Sequence, residues 1–359
     1  ISSFMVMYEN ESVDVRYGNG AQLQLSPCGC EFMLMKPTDP SEHPLQTRGR
    51  VRQRTRFATS TYKEMIMTAL AFRNKYASRP YLPEELIPAG HKKPFFSIDS
   101  DVNWPECSLC DAEFGPGGET IIRSEDGRIV LTLSPSGEEF SVEFTCSLSH
   151  YQTQHHSMEA FSRDSEGGPG GQQQVSNLIC QTAGDKTKEV HQGMVQHHSC
   201  RSVAPIWCYP LSLARHLQMA HFSKPEDVRG EGARDITPAH RETNVSDVAR
   251  HSHLPQALPL TCLSPHWHRW NFTDLRAKKE HDLPTELVKV MWCQGVTYRI
   301  LSGGLIEVSP GDGSVIRSNG VLNTYFTHHK PEILSGQLNV SISPYNCLLC
   351  LKEHKKQLI

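Results

Sequence analysis

Small antiparallel β-meander units in an α+β protein are what this chain encodes, and its turns and its composition both point that way. Three segments place an apolar residue before Ser-Pro and a glycine turn: Leu25-Ser26-Pro27-Cys28-Gly29, Leu133-Ser134-Pro135-Ser136-Gly137 and Val308-Ser309-Pro310-Gly311-Asp312-Gly313. Each lies inside alternating strand-like sequence, the pattern of a sheet with one buried face. Recurrence favours one small unit used more than once over a single large enzyme domain. Between the second and third segments the composition turns to Gly, Gln, His and Ser. Such sequence buries too little apolar surface to offset backbone ordering of about 1–2 kcal/mol per residue, so a disordered linker is expected to separate the units.

In chain order, the first sheet-plus-helix unit covers residues 1–80. Phe4 to Tyr8 and Val13 to Tyr17 read as strands, and Gly18-Asn19-Gly20 supplies the hairpin turn into Leu23-x-Leu25. The turn at Pro27-Cys28-Gly29 leads into Cys30 to Met35, and its two cysteines read as one facing in and one facing out, with no chemistry assigned. Thr61-Tyr62-Lys63-Glu64 matches a capping box. Tyr62, Met65, Ile66, Ala69, Leu70 and Arg73 follow helical spacing, which predicts a helix to about Tyr76 that lays an apolar stripe on the sheet.

A second β-meander unit spans 92–148. Its strands are Thr120 to Arg123, Ile129-x-Leu131-x-Leu133 and Phe140-x-Val142-x-Phe144, with no capped helix immediately after them. Residues 151–203 are the expected disordered linker. Residues 204–222 read as a docking segment, an Ile206-Trp207-Cys208-Tyr209-Pro210 anchor followed by a short helix. Residues 223–252 return to polar, disordered composition. The third β-meander unit, 258–330, is anchored by Trp267 and Trp270 and contains Leu287 to Trp292, Val296-x-Tyr298-x-Ile300, Leu305 to Val308 and Val315-Ile316. The tail, 335–359, reads as poorly ordered.

The 359 residues carry a net charge of −3, which excludes a chain-wide polyanion-binding character, and 38% hydrophobic content, low for a chain packed throughout. The start lacks the basic and apolar regions of a signal peptide, and no run approaches the ~18 apolar residues of a membrane helix. An intracellular, cytoplasmic protein with no membrane partner is expected, its twelve cysteines reduced. Because the chain begins with Ile, its N-terminus is read as incomplete.

Arg48, Arg50, Arg52, Arg54 and Arg56 alternate, so an extended chain puts all five on one face. Guanidinium forks suit carboxylates and phosphates, which marks this face as a partner-binding site for acidic or phosphorylated protein segments. The plainer reading is a solvated edge whose charges discourage strand pairing. No interleaved aromatic residues suggest nucleic acid. Cys107-Ser108-Leu109-Cys110 and Cys347-Leu348-Leu349-Cys350 have zinc-ligand spacing, but neither has a local second half, so no metal is assigned and a four-cysteine site stays an alternative. The histidine pairs His155-His156 and His197-His198, and His266 with His268, lie in sequence that offers no preformed cage. The chain holds no phosphate loop, dinucleotide fingerprint, nucleophile elbow or zinc-protease motif, and no cofactor is expected.

Val13 to Gly29 and Arg50 to Phe57, with Tyr209 to Ala214, His268 to Phe272, Gly295 to Arg299 and Pro310 to Val315, closely resemble the vertebrate family of the chromosome five open reading frame thirty-four protein. The likeness runs in order to about Tyr325. Past about Pro331 the sequence departs from the family pattern, as a truncated form or an alternative end would. The family name carries no activity. A weaker resemblance, in Tyr17-Gly18-Asn19-Gly20 and the order of strands before one long helix, is to polo-box domains, interaction modules of centriolar and mitotic proteins. It implies a polo-box-like first unit and a non-enzymatic scaffold or adaptor, centrosomal or linked to the cell cycle. No position matches the phosphate-reading His and Lys of phosphopeptide-binding polo boxes. A zinc-stabilised binding domain and an unrecognised enzyme stand as alternatives.

Overall fold

The computed structural model of the protein describes residues 2–37, 49–95, 101–107, 113–148, 189–222, 250–258, 260, 287–318 and 326–330. The described residues form an α+β structure, mostly antiparallel sheet with two long helices.

Five strands open the chain: β1 (Ser2–Tyr8), β2 (Val13–Tyr17), β3 (Gln22–Leu25), β4 (Glu31–Met35) and β5 (Arg50–Arg54). Their inward residues, among them Met7, Val13, Val15, Leu23, Leu25 and Phe32, are buried together. The helix α1 (Ser60–Tyr76) lays Ile66, Ala69 and Leu70 on this face. It starts one residue before the capping box, with Thr59 as N-cap and no side-chain cap bond. The Tyr62 amide donates to the Thr59 carbonyl instead, 3.1 Å away, so packing rather than capping fixes this end.

The second sheet runs β6-β12-β11-β10-β9-β8, from β6 (Lys92–Phe95), β8 (Glu113–Phe114), β9 (Thr120–Arg123), β10 (Val130–Leu133), β11 (Glu139–Ser147) and β12 (Glu189–Ser199). β12 corrects the reading of 151–203 as linker. It pairs with β11 along nine residues, from Glu139↔Ser199 to Ser147↔His191, while 151–188 lie outside the described residues. Its buried positions are Met194 and Gln196 on one face and His191 and Ser199 on the other, so apolar alternation does not reveal it. Gln196 donates to the carbonyls of Asn74 and Ala77, which joins β12 to the C-terminal end of α1.

The helix α2 (Pro205–Phe222) covers β9 and β10 with Trp207, Leu211, Leu213 and Ala214. The second sheet thus takes its helix from farther along the chain. One continuous helix replaces the anchor and short helix of the sequence reading, because Pro210 sits inside α2 and is itself buried. The packing of Trp207 and Tyr209 around it offsets the hydrogen bond that a proline removes. β7 (Asp101–Asn103) pairs with β13 (His251–His253), which corrects the end of the stretch 223–252 expected to be disordered. Residues 223–249 lie outside the described residues.

The last strands are β14 (Val288–Cys293), β15 (Val296–Ile300), β16 (Ile306–Ser309), β17 (Val315–Ser318) and β18 (Phe326–His329). They continue the first sheet, because β14 pairs with β1 through Met5↔Trp292, Val6↔Met291 and Met7↔Val290. The result is one ten-stranded sheet in the order β18-β17-β16-β15-β14-β1-β2-β3-β4-β5. Trp267, Trp270 and 335–359 lie outside the described residues.

Two of the Ser-Pro-Gly segments make the same turn. Ser26 and Ser134 each donate their amide to a glutamate carbonyl five residues on, and each accepts that glutamate's amide on the hydroxyl. Gly29 and Gly137, at φ 75° and 70°, close the turns in the left-handed region open to glycine. Ser124 with Gly127 repeats the arrangement. The third segment differs, since Asp312 accepts from the amide and hydroxyl of Ser314.

Candidate functional site

β5 ends the ten-stranded sheet, and among the described residues no strand pairs with its outer side. Its burial alternates: Arg50, Arg52 and Arg54 are exposed while Val51 and Gln53 are half-buried. The Arg52 fork donates to both oxygens of Glu31 on β4, at 2.8 and 3.1 Å. Hydrogen bonding to Glu31 holds the guanidinium pKa above its ordinary value. At 56% side-chain exposure the pair stays in contact with water, so an incoming carboxylate competes with Glu31 at little cost.

The alternation stops at Arg54. Thr55 is fully buried, donating its hydroxyl to the Gly29 carbonyl at 2.6 Å and its amide to Cys30 at 2.9 Å. These bonds draw the chain into the 3-10 turn Thr55–Phe57. Arg56 therefore leaves the exposed face and lies half-buried, its guanidinium 4.5 Å from the ring of Phe57. Arg48 lies outside the described residues. The five-arginine face of the sequence reading thus comprises Arg50, Arg52 and Arg54 where it is described, with Phe57, 57% exposed, at its end.

Cys107 is exposed, and Cys110, Cys347 and Cys350 lie outside the described residues. No group of three His, Cys, Asp or Glu side chains suited to a metal occurs among the described residues. His155, His156, His266 and His268 lie outside them. An open recess on the second sheet is lined by Lys93, Arg123, Arg128 and Glu143, but Arg123 is held by Glu113 and Arg128 by Asp126.

One cluster left no mark in the sequence. Arg299, Glu307 and Arg317 face one another across β15, β16 and β17, in the register Arg299↔Glu307 and Glu307↔Arg317, and all three are buried. Arg317 donates to Glu307 through Nε and Nη2 at 3.0 and 2.8 Å, and also to Glu138. The Ser199 hydroxyl donates to Glu307 and that of Ser309 to Glu139, both at 2.9 Å. Burial works against the charge of Arg317, but its bonds to Glu138 and Glu307 outweigh it and raise the pKa. The two large sheets therefore meet through ions and hydroxyls at this end.

His197 and His198, on β12, lie beside this contact. Burial first, then the charges of Lys75 and Arg299, push His197 down to about 3. Burial, then Arg299 and Lys289, push His198 down to about 4. Both rings are neutral in the fold, whereas the unfolded chain protonates them near pH 6.5. Their contribution is complete above that pH and is lost as pH falls toward 4. Asp14 acts oppositely: burial raises its carboxyl to about 6, so it takes a proton in the fold first and returns stability below pH 6. At pH 5 each histidine, discounted for its residual exposure, costs on the order of 1–2 kcal/mol and Asp14 returns about 1 kcal/mol. Burial also lowers His328 and His329. The denaturant midpoint is expected to drop between pH 7 and pH 5 by the equivalent of about 2 kcal/mol, with a smaller drop in His198→Gln; a midpoint that holds or rises contradicts this balance.

Among the described residues no helix is long and apolar enough to cross a membrane. Comparison with known proteins matches three family models: C5orf34-like, N-terminal, over residues 5–74; C5orf34-like, second domain, over 117–214; and Polo box domain over 288–343. The last match lies on the third meander and reaches beyond Pro331. The chain is 36% identical to the Bos taurus protein "Uncharacterized protein C5orf34 homolog" over 380 residues, which covers 90% of the chain and 58% of that protein. It is 35% identical to the Rattus norvegicus homolog, covering 90% and 58%. Against the Homo sapiens "Uncharacterized protein C5orf34" it is 34% identical, covering 93% and 59%. The chain thus spans less than two thirds of the length of these relatives. No solved structure matches. With two models in order along the first two units and identity sustained over nine tenths of its length, the chain belongs to the C5orf34-like family.

Proposed function

We propose that this chain is a non-enzymatic protein-interaction scaffold that takes an acidic or phosphorylated extended segment as an added strand along β5. The observation that carries the reading is the end position of β5 with Arg50, Arg52 and Arg54 exposed at alternate residues. Strand addition draws affinity from main-chain hydrogen bonds, while side chains at every second position select the partner. Here the selection is for negative charge, and Glu31 already demonstrates on Arg52 the bidentate geometry that a partner carboxylate would adopt. The polo-box match supports the interaction role, since polo boxes bind other proteins. The match falls on β14 to β18 and not on the first unit, where the sequence resemblance put it; a polo-box-like first unit, and a place for the chain among centrosomal or cell-cycle proteins, belong to this proposal alone.

Replacing Arg50, Arg52 and Arg54 together by Glu is expected to weaken capture of acidic partners on the order of tenfold or more, with the melting curve little changed because all three side chains are solvated. An unchanged set of partners in a quantitative pull-down removes the arginine face from the proposal and leaves it as protection of a sheet edge. Proximity labelling in dividing cells tests the location: centrosomal neighbours support it, and a diffuse set rejects it.

A further inference from the structure

The turn between β3 and β4 brings two sulfurs together. Cys28 and Cys30 are both half-buried, which corrects the expectation that one faces in and the other out. Their Sγ atoms lie 2.9 Å apart, with the Ser26 hydroxyl 3.5 Å from that of Cys28. Gly29, at φ 75°, turns the chain between them.

The turn is held on every side. Gly29 donates its amide to the Ser26 carbonyl and accepts from Thr55 on its own carbonyl. The Cys30 carbonyl accepts the Thr55 amide. Arg73, almost wholly buried on α1, donates to the Pro27 carbonyl through Nε and Nη2 at 3.0 and 2.7 Å. A side chain at residue 29 would meet Tyr81 and Leu70 at 3.2 and 3.3 Å, so the backbone is pressed against the helix side and cannot drift.

We propose that Cys28 and Cys30 form a reversible dithiol–disulfide site that exchanges with small-molecule disulfides. The thiolate of one cysteine attacks a sulfur of the small disulfide, which forms a mixed disulfide and releases one small thiolate. The second cysteine's thiolate then attacks the protein sulfur of the mixed disulfide, closing the Cys28–Cys30 bond and releasing the other small thiolate. The two protons lost by the protein thiols go to the two released thiols, and one disulfide is reduced as one is formed.

Two features favour this chemistry over inert packing. Arg73 is buried next to the turn, where burial lowers its pKa and the charges of Glu11, 3.2 Å from Nη2, and then of Cys28 and Cys30 as thiolates work against that lowering; the part of its charge not taken by Glu11 favours the attacking species. Both cysteines are also half-buried and not fully enclosed. Cys146 and Cys200 offer the contrast, since burial pushes each up to about 12. The site is independent of whether β5 binds a partner.

The test equilibrates the full chain with mixtures of reduced and oxidised glutathione, blocks remaining thiols with N-ethylmaleimide, and maps the peptide containing both cysteines by mass. On the oxidising side that peptide is expected to lose two hydrogens and to take up no maleimide, with full recovery of both thiols on the reducing side. In Cys28→Ser and in Cys30→Ser the remaining cysteine should instead keep a glutathione adduct, because nothing resolves it. Two maleimide adducts across the whole range, or a stable glutathione adduct on the unaltered turn, overturn the proposal without reference to either variant.

Discussion

Replacing Arg317 by Met is expected to destabilise the protein by about 3–5 kcal/mol, the cost typical of removing one partner from a buried ion network. Glu307, only 2% exposed, loses both guanidinium hydrogen bonds at 3.0 and 2.8 Å, and Glu138 loses its contact with the same side chain. Methionine fills much of the volume but donates nothing, so two carboxylates are left with fewer donors in a site with little water. The double variant Arg317→Met with Glu307→Met is expected to regain much of the loss, because the central charge pair is then removed whole. Denaturant unfolding measures both effects. Hydrogen exchange adds where they fall, since the cluster ties β15 to β18 onto the turn at Glu138 and the end of β12 at Ser199, and those strands should lose protection first. A loss below about 1 kcal/mol in the single variant would mean that water solvates the cluster and that another surface joins the sheets.

The difference between what the residues announced and what they concealed follows from the range of the forces involved. The turns at Ser26 and Ser134 are legible because their bonds close within five residues, through the serine hydroxyl and a glycine that accepts positive φ. The apolar stripe of α1 is legible for the same reason, since Ile66, Ala69 and Leu70 follow the helical period. β12 is not: its buried His191 and Gln196, on opposite faces, look polar in sequence, and the groups Gln196 satisfies belong to the C-terminal end of α1. The joining of β14 to β1 leaves no local trace, because it pairs opposite ends of the described chain. The arginine face could be read as far as Arg54. It breaks at Thr55, whose hydroxyl reaches the Gly29 carbonyl on another turn, a tertiary contact that alternation cannot encode. The Arg299, Glu307 and Arg317 cluster was hidden by the same logic in reverse, since charged residues at alternate strand positions resemble a solvated face until a second sheet covers them.

Trp207→Ala is expected to cost about 3–5 kcal/mol, the range for truncating a large buried aromatic residue, and to loosen the second sheet more than the first. Trp207 is 2% exposed and holds α2 against the sheet, its ring 6.1 Å from that of Phe144 on β11 and 6.2 Å from that of His198 on β12. The inner face that includes Ile122, Leu131, Leu133 and Phe140 shares one core with this helix. With Pro210 already removing a backbone bond from α2, the helix depends on tertiary packing more than on its own propensity. Removing the indole therefore weakens both the helix and the cover it gives to β9 and β10. Met219→Ala on the same helix is the contrast: at 62% exposure it should change stability by about 0.5 kcal/mol or less. Equal losses for the two variants would show that α2 does not dock through its tryptophan. An unchanged midpoint for Trp207→Ala would show that the second sheet keeps its core without this helix.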